Sequence, residues 1–111
     1  MELKLMSYNL EWMANFFVTG KAEFYQGKSR YTGRYGRKPK DVQMVCRKIA
    51  GVINDIDPDI LGIQEGPPKI SQMKLFVKEY LDDKYDVYSM EHTRQSIHAL
   101  VKKNLPIQVT Q

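Results

Sequence analysis

Asp57-Pro58-Asp59-Ile60-Leu61-Gly62-Ile63-Gln64-Glu65-Gly66-Pro67-Pro68 is the stretch on which the fold turns. Asp57-Pro58-Asp59 stops any helix that precedes it, because proline lacks a backbone donor and its ring crowds the turn before it. Ile60 to Glu65 is a short apolar run, the pattern of a buried strand. Gly66-Pro67-Pro68 ends that strand abruptly. The two-residue period puts Leu61, Ile63 and Glu65 on one face and Ile60, Gly62 and Gln64 on the other. Upstream, Pro39 and Asp41 open a helix with Asp41 as its N-cap. Val42, Val45, Cys46, Ile49, Val52, Ile53 and Ile56 then recur as an apolar stripe. Cys46 lies on that stripe and reads as packed, not reactive.

Further toward the N-terminus, Leu3 to Trp12 reads as another strand. Leu3, Leu5, Ser7, Asn9 and Glu11 alternate with Met6, Tyr8, Leu10 and Trp12. Both faces begin apolar, which predicts cover on two sides. One face then turns polar toward the C-terminal end. A strand–helix–strand unit of this length implies a right-handed crossover and parallel neighbours. Both strand C-termini then emerge at one end of the sheet, where Asn9, Glu11 and Glu65 can converge.

Downstream, Ile70 to Leu81 fits a second amphipathic helix with Ile70, Met73, Phe76, Val77 and Tyr80 on one side. Tyr85 to Met90 alternates like a strand, and Ile97 to Val101 is a further apolar run. Asn104-Leu105-Pro106 turns the chain, and Ile107 to Thr110 reads as the beginning of another strand. At 111 residues with 42% hydrophobic and 27% charged residues, the chain has the size and balance of one soluble domain, which excludes a disordered tail, a collagen and a coiled coil. No apolar run reaches the length needed to span a bilayer. Met1 to Trp12 has neither the basic leader nor the apolar core of a secretory signal, and the single cysteine suits a reducing compartment. The expected location is the cytoplasm.

Charge is concentrated in one place. Residues 14–40 hold seven of the bases (Lys21, Lys28, Arg30, Arg34, Arg37, Lys38, Lys40) and one acid, Glu23, so this stretch carries +6 against +4 for the whole chain. It also contains Phe16, Phe17, Phe24, Tyr25, Tyr31 and Tyr35. Such a basic, glycine-rich, aromatic-interleaved loop can follow a phosphate backbone and stack on bases. It can equally be a solvated loop that keeps the protein soluble.

Ser7-Tyr8-Asn9-Leu10-Glu11-Trp12 followed across a helix by Asp57-Pro58-Asp59-Ile60-Leu61-Gly62-Ile63-Gln64-Glu65 resembles the endonuclease/exonuclease/phosphatase superfamily, the DNase I-like group. Lys102-Lys103-Asn104-Leu105-Pro106-Ile107 after the Ile97–Val101 run is similar to that family's next hairpin. The resemblance covers nearly the whole chain but only the N-terminal half of the family's domain. It implies an α/β fold: half of a four-layer α/β/β/α sandwich, a mixed sheet flanked by helices, with residues 1–111 a partial domain and a basic loop insertion at about 14–40.

The resemblance also implies a metal-dependent phosphodiesterase site. Asn9 matches the asparagine that orients metal and scissile phosphate, Glu65 the carboxylate that binds catalytic Mg²⁺ (or Mn²⁺), and Glu11 an acidic position that helps hold the ion in some members. Mg²⁺ takes hard oxygen ligands, one or two carboxylates with several retained waters. It polarises a phosphoryl oxygen and stabilises charge on the attacking and leaving oxygens. On local grounds alone, Asn9 at a strand end would bond its own backbone in a turn, and a glutamate before Gly-Pro-Pro would face solvent.

The family's Asp-x-Asn and Ser-Asp-His motifs occur nowhere in the sequence. His92 and His98 do not match the catalytic histidine. His98 lies in an apolar run and reads as a packed or edge-strand residue, while His92 and Arg94 fall in a loop where they can touch substrate phosphate. The expectation is a divalent-metal-dependent phosphodiester or phosphomonoester hydrolase, nuclease-like, with Arg30, Arg34, Arg37, His92 and Arg94 toward a phosphate-containing substrate such as nucleic acid, and inactive alone. A non-catalytic nucleic-acid-binding module that uses the basic loop, and a plain scaffold domain, are the alternatives. Half a sandwich would leave one sheet face bare for a missing C-terminal partner or for self-association.

Overall fold

The computed structural model describes residues 2–11, 13–26, 41–92 and 94–110. Along the chain come β1 (Leu5–Asn9), a 3₁₀ turn (Met13–Phe16), α1 (Val42–Ile56), β2 (Ile60–Gly66), α2 (Ile70–Tyr80), β3 (Tyr85–Met90) and β4 (Ser96–Lys102). The boundaries follow local chemistry. The Asp41 carboxylate accepts from the Met44 N–H at 3.0 Å, satisfying one of the four donors a helix leaves unpaired at its start. At the other end Asp57 adopts a left-handed conformation, and its N–H reaches Ile53 O at 2.7 Å. α2 is capped from within and from afar: the Gln72 side chain accepts from the Lys69 N–H at 3.1 Å, and Glu91 accepts from the Ile70 N–H at 3.2 Å.

The four strands form one mixed sheet in the order β1-β2-β4-β3. β1 and β2 are parallel, and β4 is antiparallel to both its neighbours, so β1, β2 and β3 all point the same way. The two helical crossovers move across the sheet in one direction, and connections of one hand then lay both helices on one face. Burial agrees. Cys46, Ile49 and Ile53 of α1 and Met73, Phe76 and Val77 of α2 share a single core with Leu61, Ile63, Val87 and Leu100 of the sheet. Cys46 is fully buried, and that burial pushes its thiol pKa up to about 12.

Among the described residues the other face is bare. Leu5, Ile97 and Met90 are 70%, 58% and 75% exposed there. This corrects the expectation that β1 is covered on both sides: it is an edge strand, and no described element lies over its Leu5 face. The α1 stripe is also narrower than its periodicity predicts. Val52 and Ile56 are exposed, and Ala50 joins the buried set instead. Residues 107–110 form no strand, since both sides of β4 are already taken by β2 and β3. No helix among the described residues is long and apolar enough to cross a membrane.

The largest departure lies in residues 14–26, expected as the front of a basic loop. Met13, Phe16 and Phe17 are buried in the core. A bridge joins Phe17 to Phe24, whose rings stack with centroids 4.9 Å apart, and Phe24 meets Tyr80 edge-on at 5.5 Å. The buried Gln72 side chain anchors this segment by donating to Lys21 O at 3.1 Å. Phe16 and Phe17 therefore pack inside, Phe24 and Tyr25 pack half-buried against them, and Tyr31 and Tyr35 lie outside the described residues. Apolar burial outweighs the local charge signal, because each aromatic ring removes far more surface from water than a solvated base needs.

Candidate functional site

Asn9 is the last residue of β1, and the parallel register sets it opposite Gln64. The next rung, Leu10 N–H to Gln64 O at 3.0 Å, carries the pairing to the lip of the sheet. Neighbouring strands lie about 4.8 Å apart, so Asn9 and Glu65 leave the sheet side by side at the same end. The convergence expected of a parallel strand–helix–strand unit is present in the backbone. Asn9 Oδ1 accepts from the Glu11 N–H at 2.9 Å, the turn that a strand-end asparagine favours. That bond fixes the carboxamide and leaves the amide Nδ2 as a donor. On the same bare face, the Ser7 hydroxyl and the Gln64 carboxamide are hydrogen-bonded at 3.1–3.2 Å.

Glu65 does not lie where simple alternation puts it. Ile63 pairs with His98 and Gly66 with Ser96, so three steps along β2 match two along β4. This is a β-bulge, with one extra residue in β2. Ile63 and Gly66 both face the helices, since a Cβ at Gly66 would stand 3.2 Å from Ile63 Cγ2. The extra residue thus takes Glu65 out of the Leu61–Ile63 row, where a carboxylate would be driven into the core. Glu65 is half-buried, and among the described residues its carboxylate has no hydrogen bond or ion pair.

The bulge and the Asn9 turn share a further property. Glu65 has φ 54° and Glu11 φ 43°. Left-handed backbone is uncommon for glutamate and costs on the order of 1–2 kcal/mol per residue. Backbone strain of this kind clusters at functional positions. It falls on both carboxylates that the sequence nominated for a metal, and also on Asp57, Asp82, Asp83 and Asn104 in turns elsewhere.

Other groups gather at this end. The β3–β4 connection brings exposed His92 and Arg94 to this end. A cleft of about 520 Å³ is lined by Thr19, Gly20, Pro68, Lys69, Glu91 and His92. A second, of about 370 Å³, runs along Tyr8, Asn9, Leu10 and Glu11 onto Phe16 and α1. A third depression, about 530 Å³, is lined among the described residues by Phe24, Tyr25, Asp41, Glu79 and Tyr80. Arg30, Arg34 and Arg37 lie outside the described residues.

His98 is neither on an edge nor merely packed among apolar groups. It is fully buried on the inner strand β4. Its Nε2 lies 2.8 Å from Pro67 O and its Nδ1 2.5 Å from Ser89 Oγ. A carbonyl only accepts, so Nε2 carries the proton, and the Ser89 hydroxyl donates to Nδ1. Burial holds the imidazole pKa below its ordinary 6.5, against the opposing pull of the Pro67 bond and Glu91.

For a cation the fit is to a hard, water-rich one. Asn9, Glu11 and Glu65 offer oxygens and no sulfur or imidazole, the donor set of Mg²⁺ or Mn²⁺. No cluster of three or more His, Cys, Asp or Glu suited to a metal occurs among the described residues. Sequence reasoning missed one oxygen at this end: Gln95 Oε1, just before β4, is buried with no hydrogen-bond partner. Nothing in its local sequence distinguishes it from a loop glutamine. Compared with protein-family models, with curated proteins and with solved structures, the chain has no match in any of the three.

Proposed function

We propose that this chain belongs to a divalent-metal-dependent hydrolase of phosphodiesters or phosphomonoesters, of the endonuclease/exonuclease/phosphatase kind and nuclease-like in substrate. The observation that carries this reading is the pairing of Asn9 with Gln64, followed by a bulge that turns an unpaired Glu65 out of the core beside it. Glu65, with Glu11, would hold Mg²⁺ or Mn²⁺, and Asn9 Nδ2 would donate to a phosphate oxygen. The ion, when bound, supplies charge stabilisation at the phosphoryl group. His92, Arg94 and Lys69 add positive or titratable groups at the same end for a polyanion. The bare sheet face fits the half-sandwich reading, since it is the surface on which a second sheet would lie. Burial of Phe16 and Phe17 takes two of the loop aromatics away from the alternative of a stacking nucleic-acid module.

The sequence lacks the Asp-x-Asn and Ser-Asp-His triplets that carry the family's acid–base chemistry, so the chain is expected to bind metal without turnover. Titration calorimetry with Mn²⁺ is the test. Binding should be lost in Glu65→Gln while the melting temperature holds, and binding indifferent to that substitution sinks the hydrolase reading.

A further inference from the structure

Gly66-Pro67-Pro68 poses a hydrogen-bonding problem of its own. Neither proline has an N–H, so this turn can be tied down by its backbone only through its carbonyls. β4 supplies both donors from one face, two residues apart. His98 Nε2–H donates to Pro67 O at 2.8 Å, and Ser96 Oγ–H donates to Pro68 O at 2.8 Å. Each donor is itself held. Ser89 donates to His98 Nδ1, which fixes the tautomer that keeps the proton on Nε2. The His92 N–H donates to Ser96 Oγ at 2.7 Å, which leaves the Ser96 proton for Pro68.

The imidazole also fills the space beside the bulge. A Cβ at Gly66 would fall 2.5 Å from His98 Cδ2 and 3.1 Å from Nε2, so Gly66 and His98 fit only as a pair. Glu65, with its left-handed φ, is the residue immediately before this contact. A strained residue persists only where its surroundings over-determine it.

We propose that His98 is a positioning residue: with Ser96 it clamps the Gly66–Pro68 turn and so fixes the direction in which the β2 bulge presents the Glu65 carboxylate. Its effect on metal affinity rests on the metal reading of Glu65; its effect on the bulge does not. A donor to Pro67 O is the required feature, and a bulky group in the core is not sufficient.

Three variants of the whole chain separate the two. His98→Gln places an amide N–H near the position of Nε2 and keeps the Pro67 tie. His98→Asn places an acceptor near Nδ1 and loses that tie. Ser89→Ala removes only the hydroxyl behind the ring. Amide chemical shifts and hydrogen exchange at Glu65 and Gly66 report the bulge, and Mn²⁺ titration reports the carboxylate. His98→Asn should displace both amides, speed their exchange and weaken Mn²⁺ binding by about tenfold or more, the scale of lost supporting bonds around metal ligands. His98→Gln should restore both readouts, and Ser89→Ala, which leaves the Pro67 carbonyl alone to hold the proton on Nε2, should shift them in the same direction as His98→Asn but less. Native amide behaviour in a destabilised but folded His98→Asn overturns the proposal and makes His98 core filling alone. If the native chain shows no Glu65-dependent Mn²⁺ binding, the metal reading fails and the amides alone decide the clamp. Should His98→Asn not fold, Ser96→Ala decides it: a smaller displacement of the Gly66 amide supports the clamp, and an unmoved one overturns it.

Discussion

The two ends of the sheet are built on opposite principles. Where β1 and β2 begin, nearly every polar group is answered. The Lys4 N–H donates to Asp59 Oδ2 and its ammonium to Ile56 O, both at 2.8 Å. Lys102 lies 2.9 Å from Asp57 and 3.6 Å from Asp59, which holds the Asp57 carboxyl below its usual range and raises the Lys102 ammonium. The Tyr85 hydroxyl donates to Pro58 O at 2.8 Å. Where the same strands finish, Glu11 and Glu65 sit in strained backbone with carboxylates unpartnered among the described residues. Acid charge is present at both ends. Left-handed backbone occurs at both ends, at Asp57 as at Glu11 and Glu65; the difference is that Asp57 and Asp59 have a cationic partner and, among the described residues, Glu11 and Glu65 have none.

The comparison can be broken experimentally. The largest effect should come from Gly66→Ala, which drives a methyl group into His98 and should cost about 1–3 kcal/mol in denaturant unfolding. A cost near zero would mean that the bulge has slack and Glu65 is not held. At the paired end, Asp59→Ala should cost about 1–2 kcal/mol, the loss of a charge-assisted bond to a backbone N–H. It should leave Mn²⁺ binding untouched, and altered binding would undo the division between the ends. Glu65→Gly should move the other way, raising stability by about 1 kcal/mol by relieving the left-handed backbone while abolishing metal binding. No gain would mean that Glu65 stores no strain.

The smallest effect is expected with pH. Folding depresses the His98 pKa, so the unfolded chain binds the proton more readily than the folded one. Its contribution to stability is complete above the ordinary 6.5 and erodes as pH falls below that toward the folded-state value. In His98→Gln this part of the acid profile should flatten. An unchanged slope between pH 6.5 and 5 would assign the acid sensitivity to the carboxylates.

Local sequence determined much of this protein. Asp41 as N-cap, the Asp57-Pro58 stop and the Tyr85–Met90 strand are set by groups a few residues apart, and short-range chemistry suffices to place them. The meeting of Asn9 with the end of β2 was legible too, because a strand–helix–strand unit of that length admits only one sensible pairing. Tertiary structure alone decided the rest. Alternation put Glu65 in one row with Leu61 and Ile63, and only the unequal spacing of its partners on β4 shows the extra residue that takes it out of that row. His98 looked like one more packed residue until a proline carbonyl distant in sequence and the Ser89 hydroxyl met its two nitrogens. Phe16 and Phe17 looked available for stacking until the core took them in. In each case the deciding partner lies on another element, and a pattern read along one chain segment carries no record of what will pack against it.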